Sequence, residues 1–260
     1  MKFIETKLEN LIGIITFNND EKRNSLTEAM LNEIIEALHK FKENNARVVI
    51  IRAHRGVRIW SAGLDIHELP EPGRDPLSYN DPLEQAIRVI QHYPGPVIAM
   101  IEGGVWGGAC DLAFVCDLLI GTETASFAIT PAKIGVPYNP SGILHFINMV
   151  GLHLAKEMFF TALPINATQA KHHGILNHLV PNVDELESYT MFHAEQMIQN
   201  SPLSIAVIKE QLRILGNSNA ISPETFERIQ GLRRKVYDSK DYIEGKRAFL
   251  EKRKPVFIGE

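Results

Sequence analysis

The sequence predicts an α/β domain of repeated β and α units that gives way to a largely helical C-terminal third. Three observations carry this. Short β-rich apolar runs alternate with amphipathic stretches through the first half, helix starts are marked by capping residues, and strand signals fade after about residue 150.

In chain order, Ile12 to Phe17 reads as a strand, Leu26 to Phe41 as a helix and Val48 to Arg52 as the next strand. Ser25 and Glu28 have capping-box spacing, as do Asp81 and Glu84, where Pro82 takes the first helical position. Val97 to Ile101 and Leu118 to Gly121 continue the strand pattern, with a helix from Gly108 to Cys116 between them. Asn166 and Gln169 repeat the capping-box spacing, and Ser201-Pro202 and Ser222-Pro223 each announce a helix. The last helix, Tyr242 to Glu251, runs into the basic segment Lys252-Arg253-Lys254-Pro255. Leu203, Ile205, Val207, Ile208, Leu212 and Leu215 form an apolar face that needs a cover. A neighbouring subunit and the chain's own sheet are equally open as that cover.

The 260 residues are 45% hydrophobic and 22% charged, a globular composition with material for a sizeable core. A formal net charge of -4 argues against a general nucleic-acid binder, which needs a basic excess to displace phosphate counterions. Any polyanionic ligand must meet a local basic patch. Cys110 and Cys116 share one apolar stretch and fit neither a disulfide framework nor the close pairs of a zinc site, so both are expected reduced and buried. Met1 to Thr6 shows no apolar signal core, and no apolar run approaches the roughly 20 residues of a membrane helix, so a cytoplasmic location is expected. Without a secretory signal, the sequon Asn166-Ala167-Thr168 reads as a helix start.

Two glycine turns invite a chemical reading: Trp60-Ser61-Ala62-Gly63-Leu64-Asp65-Ile66, and Glu102-Gly103-Gly104-Val105-Trp106-Gly107-Gly108-Ala109-Cys110-Asp111. Both follow predicted strands. Small residues there let a ligand approach the backbone, leaving the amides of Leu64 and Gly108 available to developing negative charge. Glycine-rich turns are common, so for either turn taken singly a purely structural role is the favoured reading. The P-loop, dinucleotide-fold and G-x-S-x-G patterns are all missing, and His67-Glu68 lacks the second histidine of a zinc-binding H-E-x-x-H. His172-His173 reads as an exposed helix end.

Ser61 to Ile66 and Gly107-Gly108-Ala109-Cys110-Asp111-Leu112-Ala113 resemble, in order and separation, the two signature segments of the crotonase (enoyl-CoA hydratase/isomerase) superfamily. Lys22-Arg23-Asn24-Ser25-Leu26, Ile165 to Val180 and Phe249 to Pro255 extend the likeness over nearly the whole chain. The resemblance implies a spiral of ββα units over residues 1–200 holding an acyl-CoA site. It also implies a helical oligomerisation region over 201–260 that forms a homotrimer or a dimer of trimers (hexamer). It further implies that a thioester oxygen binds between the amides of Leu64 and Gly108, where two donors favour the enolate over the ground state. Ala62, Gly63, Asp65, Ile66 and Thr130 fall at substrate-binding positions, and Lys22, Arg23 and Lys252 at the nucleotide end of CoA.

Hydratases of the superfamily carry two glutamates that activate water. Here the first position is Asp111 and the second is expected at Ala132, which cannot transfer a proton. Lys133 beside it is expected to face the surface. The runs Asp65 to Pro70, Gly73 to Tyr79, Val105 to Gly108 and Gly135-Val136-Pro137-Tyr138-Asn139 resemble a branch that decarboxylates methylmalonyl-CoA to propionyl-CoA. That likeness assigns Tyr138 a catalytic role at the acyl end. Its phenol is suited to hold the departing carboxylate perpendicular to the thioester plane. The scheme requires no metal, biotin or flavin, since CoA is part of the substrate. Asp111 is expected either to stabilise its helix or to protonate the enolate, and the histidine of that branch is replaced here by Leu64. Another crotonase activity, such as a hydratase or isomerase, and a noncatalytic CoA- or RNA-binding role are the competing readings.

Overall fold

The computed structural model describes residues 2–69, 79–216 and 222–259. Pro70 and the run Gly73 to Ser78, which carry part of the resemblance, lie outside the described residues. The chain opens with an antiparallel hairpin of β1 (Ile4–Glu9) and β2 (Ile12–Phe17), whose two-residue turn holds Asn10 and Leu11 at φ 47° and 67°. Helix α1 (Glu28–Glu43) leads to β3 (Val48–Ala53) and β4 (Ile59–Ser61), then α2 (Pro82–Gln91) to β5 (Val97–Ile101) and β6 (Gly104–Trp106). Helix α3 (Gly108–Phe114) precedes β7 (Leu118–Thr122) and β8 (Ser126–Ala128), followed by α4 (Pro140–Thr161), β9 (Ile165–Asn166), α5 (Ala167–His172) and β10 (His178–Val180).

Successive turns of the chain each give one strand to either of two sheets. The larger has the order β1-β2-β3-β5-β7-β10, parallel from β2 onward, and the smaller the order β4-β6-β8-β9, parallel except for β9. This is the expected spiral of ββα units. The larger sheet is covered on both faces, which explains its near-continuous apolar runs. Along β3, Val49 and Ile51 face the core shared with α1, α2 and α3, while Val48 and Ile50 face a second core closed by Leu186 and Ala194 of α6 (Val183–Ile198). Strands β1, β4, β6, β8, β9 and β10 were not anticipated. The last two fall where strand signals fade, because strands of two or three residues are too short to show a period.

Helix starts largely follow their signals. Asn166 and Gln169 form a reciprocal capping box, and Ser222 caps α8 (Pro223–Tyr237). The pairing of Ser25 with Glu28 is corrected: Thr27 is the cap, accepting from the Met30 amide at 3.2 Å. The reason is tertiary. Leu26 is held extended against the first glycine turn by Leu26 N to Gly63 O (2.8 Å) and Asp65 N to Leu26 O (3.1 Å), which delays the helix. At α2, Asp81 caps the Leu83 amide as its position suggests, whereas Glu84 turns inward and is buried. Both cysteines are free and buried, and burial raises both thiols above their ordinary range.

The C-terminal region divides in its packing. Helix α7 (Pro202–Gly216) leaves Leu203, Val207, Ile208, Leu212 and Leu215 exposed. Helix α9 (Lys240–Leu250) instead folds back on its own chain at the 3-10 turn Pro131–Ile134. There Gly245 lies so near the Ile134 carbonyl that a side chain would collide with it, and the Tyr237 hydroxyl donates to the Pro137 carbonyl at 3.2 Å. Among the described residues no helix is long and apolar enough to cross a membrane, and no group of three or more His, Cys, Asp or Glu side chains is placed to hold a metal.

Candidate active site

The two glycine turns meet. Gly63 has φ 85°, and a side chain there would strike the Trp106 carbonyl and come within 3.0 Å of the Gly108 nitrogen. Glycine is thus required both for its conformation and for the approach. Gly107, at φ 56°, donates its amide to the Ala128 carbonyl at 2.8 Å, which ties the second turn to β8. Among the described residues the amides of Leu64 and Gly108 have no acceptor. The bridge to Leu26 uses only the flanking Gly63 carbonyl and Asp65 amide, so its geometry leaves the Leu64 amide unspent. A cavity of about 70 Å³ opens beside these two residues.

Ala62, Leu64, Ile66, Gly108, Thr130, Asp111 and Tyr138 all line that cavity, so most of the expected site residues converge. Asp65 does not line it; its carboxylate accepts from the His67 amide and caps a short 3-10 turn. Ala132 is corrected as well. It is exposed, and the neighbouring Pro131 forms the cavity wall, because the 3-10 turn over Pro131–Ile134 presents Pro131 to the cavity and Ala132 to solvent. Proline transfers no proton either, so the chemical conclusion drawn from Ala132 carries over to Pro131. Lys133 is exposed as expected.

Lys22, Arg23 and Lys252 are exposed and outside the cavity. The Arg23 carbonyl nevertheless accepts from the Ala62 amide at 2.9 Å, so the segment carrying Lys22 and Arg23 is fastened to the first glycine turn.

Tyr138 is held edge-on against Phe146 and Phe159, with ring centroids 5.7 and 5.1 Å away. Its hydroxyl oxygen is buried and has no hydrogen-bond partner among the described residues. Burial, followed by the charges of Asp111, Cys110 and Glu84, raises the phenol well above its ordinary value, so it is a hydrogen-bond donor at neutral pH. An unpaired buried hydroxyl costs about 1–3 kcal/mol, a penalty that a bound acceptor removes.

Behind Tyr138 lies a polar cluster that sequence reasoning missed. Asp111, 1% exposed, meets His145 of α4, with Oδ1 2.7 Å from Nδ1. Glu84 accepts from the amide of Asn139 and from the Ser141 hydroxyl at 3.0 Å. Burial, then the charge of Asp111, raises the Glu84 carboxyl above its ordinary value despite Ser141, His145 and Arg88. Burial alone pulls His145 down, but the hydrogen bond and charge of Asp111, with the charge of Glu84, outweigh it and raise the imidazole. The available signal was His145 interrupting the apolar run Ile143 to Ile147; its partner is remote in sequence.

Comparison with known proteins agrees with this architecture. The family description "Enoyl-CoA hydratase/isomerase" matches residues 7–260, and the chain belongs to that family, within the crotonase superfamily. The methylmalonyl-CoA decarboxylase of Escherichia coli (strain K12) is 48% identical over 258 residues, covering 99% of this chain and 98% of that protein. The human mitochondrial enoyl-CoA hydratase domain-containing protein 3 is 33% identical over 267 residues, covering 98% and 84%. Among solved structures, methylmalonyl-CoA decarboxylase in complex with 2-nitronate-propionyl-CoA superposes with a TM-score of 0.97 at 47% identity, covering 100% of this chain and 99% of the other. The same enzyme complexed with 2S-carboxypropyl CoA gives the same TM-score, identity and coverage.

Proposed function

We propose that this protein is an acyl-CoA carboxy-lyase that decarboxylates methylmalonyl-CoA to propionyl-CoA. The observation that carries the reading is the buried, unpartnered Tyr138 hydroxyl lining the same small cavity as the Leu64 and Gly108 amides. The full-length similarity to a methylmalonyl-CoA decarboxylase supports it, as does the likeness to structures of that enzyme with acyl-CoA analogues.

In this reading the thioester oxygen lies between the two amides and the substrate carboxylate accepts from Tyr138. That contact holds the breaking carbon–carbon bond perpendicular to the thioester plane, where its electron pair enters the carbonyl system. Carbon dioxide leaves, and the enolate oxygen takes the charge that the amides are set to receive. A preorganised donor of this kind is worth roughly 3–4 kcal/mol in the transition state. The apolar wall of Leu64, Ile66, Leu83 and Ile134 favours the less charged departing group over the carboxylate. Because the thioester is itself the electron sink, the scheme uses no metal or organic cofactor.

Lys22, Arg23 and Lys252 are proposed to meet the phosphates of CoA, and the exposed apolar face of α7 to join subunits as a trimer or a dimer of trimers. The cytoplasm is the proposed setting, a reading supported by two buried cysteines that form no disulfide.

Incubation with methylmalonyl-CoA, malonyl-CoA and crotonyl-CoA, with carbon dioxide release and hydration followed separately, tests the assignment. Release from methylmalonyl-CoA is expected. Hydration of crotonyl-CoA without any decarboxylation refutes the assignment and selects the hydratase reading, with Asp111 as the cavity's carboxylate.

A further inference from the structure

A second cavity, of about 540 Å³, lies between α2, α3, α4 and α7. One hydrogen-bonded pair of side chains links it to the acyl cavity. Asp111 lines the acyl cavity, His145 lines the second, and the two are hydrogen-bonded at 2.7 Å. On its far side His145 Nε2 lies 3.0 Å from Nε2 of Gln91, which also lines the second cavity. Half a turn of the Gln91 amide exchanges donor for acceptor, so this contact serves the imidazole whether Nε2 carries a proton or not.

We propose that His145 is a proton-relay residue: it passes protons from the second cavity to Asp111, which delivers them to C2 of the thioester enolate. The proposal rests on the enolate-forming chemistry described above. Loss of carbon dioxide leaves the electron pair of the broken bond in the enolate. Asp111, holding the proton from His145 Nδ1, gives it to C2; the C–H bond forms as the Asp111 O–H bond breaks, and the enolate returns to the thioester carbonyl. The relay starts from neutral His145 with its proton on Nδ1: as that proton passes to Asp111, a solvent proton from the second cavity binds Nε2, and exchange with solvent afterwards returns the Nε2–H tautomer to the Nδ1–H form. The sum is substrate carboxylate plus one proton giving carbon dioxide and propionyl-CoA, with solvent as the proton source.

The electrostatics load the relay: Asp111 of α3 and Glu84 of α2 face His145, and their charges raise it, so the imidazole is suited to take up a proton from the second cavity. Onward transfer through Asp111 is drawn by the far more basic enolate carbon. The other charges lining the second cavity are paired: Lys209 with Asp117 at 2.6 Å, and Arg213 with Glu210 at 2.6 Å. Arg88 of α2 stands 4.0 Å from Glu84. The relay is therefore replenished through a cavity beside α7, without opening the acyl cavity to water.

The test compares wild type, His145→Asn and His145→Ala. Asparagine keeps a donor near the Nδ1 position but does not titrate. Exchange of the C2 hydrogens of propionyl-CoA in deuterium oxide is followed by NMR, with carbon dioxide release from methylmalonyl-CoA measured in parallel. Both variants are expected to lose about 100-fold or more in exchange rate, the scale of general acid–base catalysis, with CoA affinity unchanged. Added imidazole is expected to restore exchange in His145→Ala, because the second cavity admits it, while leaving His145→Asn unaffected. Wild-type exchange that is absent or is matched by His145→Asn overturns the relay, as does loss without imidazole rescue. If His145→Ala does not fold, His145→Asn decides by its exchange rate alone. Carbon dioxide release with exchange indifferent to His145 overturns the relay and keeps the decarboxylase reading. Exchange that depends on His145 without carbon dioxide release does the reverse.

Discussion

The two walls of the acyl cavity are made differently. One is backbone: the amides of Leu64 and Gly108, brought together by turns that only Gly63 and Gly107 allow. The other is side chain: Tyr138 and Asp111, backed by His145 and Glu84 outside the cavity lining, all contributed by α2, α3, α4 and the segment before α4. A backbone wall tolerates replacement of side chains but not loss of an N–H. A side-chain wall can lose a single functional group while keeping its shape, because the aromatic and polar neighbours remain. The comparison teaches where chemistry is free to change in this fold, and four substitutions probe it.

The largest effect is expected from Gly108→Pro. Proline is accommodated at a first helical position but has no N–H to give, so kcat for carbon dioxide release should fall about 100- to 1000-fold in a protein that retains its circular dichroism. Activity near wild type in that folded variant breaks the backbone wall as an oxyanion site. Next comes Tyr138→Phe, which removes a charge-assisted hydrogen bond of about 1.5–3 kcal/mol, or roughly 10- to 100-fold in kcat. Since that hydroxyl is unpaired among the described residues, urea denaturation should show no loss of stability. A variant that is both fully active and destabilised would make Tyr138 a scaffold residue.

Leu64→Ala sharpens the contrast from the other side. The amide remains, so kcat should stay within about tenfold of wild type, while loss of a half-buried leucine costs roughly 1–2 kcal/mol of stability in urea denaturation. A collapse of activity to the level of Gly108→Pro would show that the side chain, not the amide, carries the role.

The smallest effect is a pH dependence. The folded pKa of Glu84 is raised above its unfolded value, so the folded chain holds this proton more tightly. The stability tied to it is present below the ordinary carboxyl pKa of 4.5 and is lost as pH rises through the raised folded value. Glu84→Gln should therefore gain on wild type as pH rises from 4 to 8 in denaturation midpoints. A constant difference across that range removes Glu84 as a strained support behind the side-chain wall.

The backbone wall was legible in the sequence because its information is local. Ser61 to Ile66 and Gly107 to Ala113 announce glycine turns following strands, and the amides are fixed by chain position whatever side chain follows. Tyr138 was legible only through family resemblance, since a tyrosine beside prolines is otherwise a common loop anchor. The cavity-facing position was placed one residue late, at Ala132 and not Pro131, because a 3-10 turn of four residues is too short to show which of its side chains turns inward. Asp111 was seen but its partner was not. Between Asp111 and His145 lie two strands and a 3-10 turn, and no periodicity links them.

What the sequence alone determined is the layered fold, most helix starts and the two amide-bearing turns. Each depends on hydrophobic period, capping chemistry or glycine's conformational freedom, and these act over a few residues. Tertiary structure decided that Thr27 and not Ser25 caps α1, that Glu84 turns inward, that α9 closes on its own chain, and that His145 joins Asp111 between two cavities. Those outcomes depend on which distant surfaces meet. A side chain's partner across the core is set by the packing of whole elements, and no local pattern encodes it.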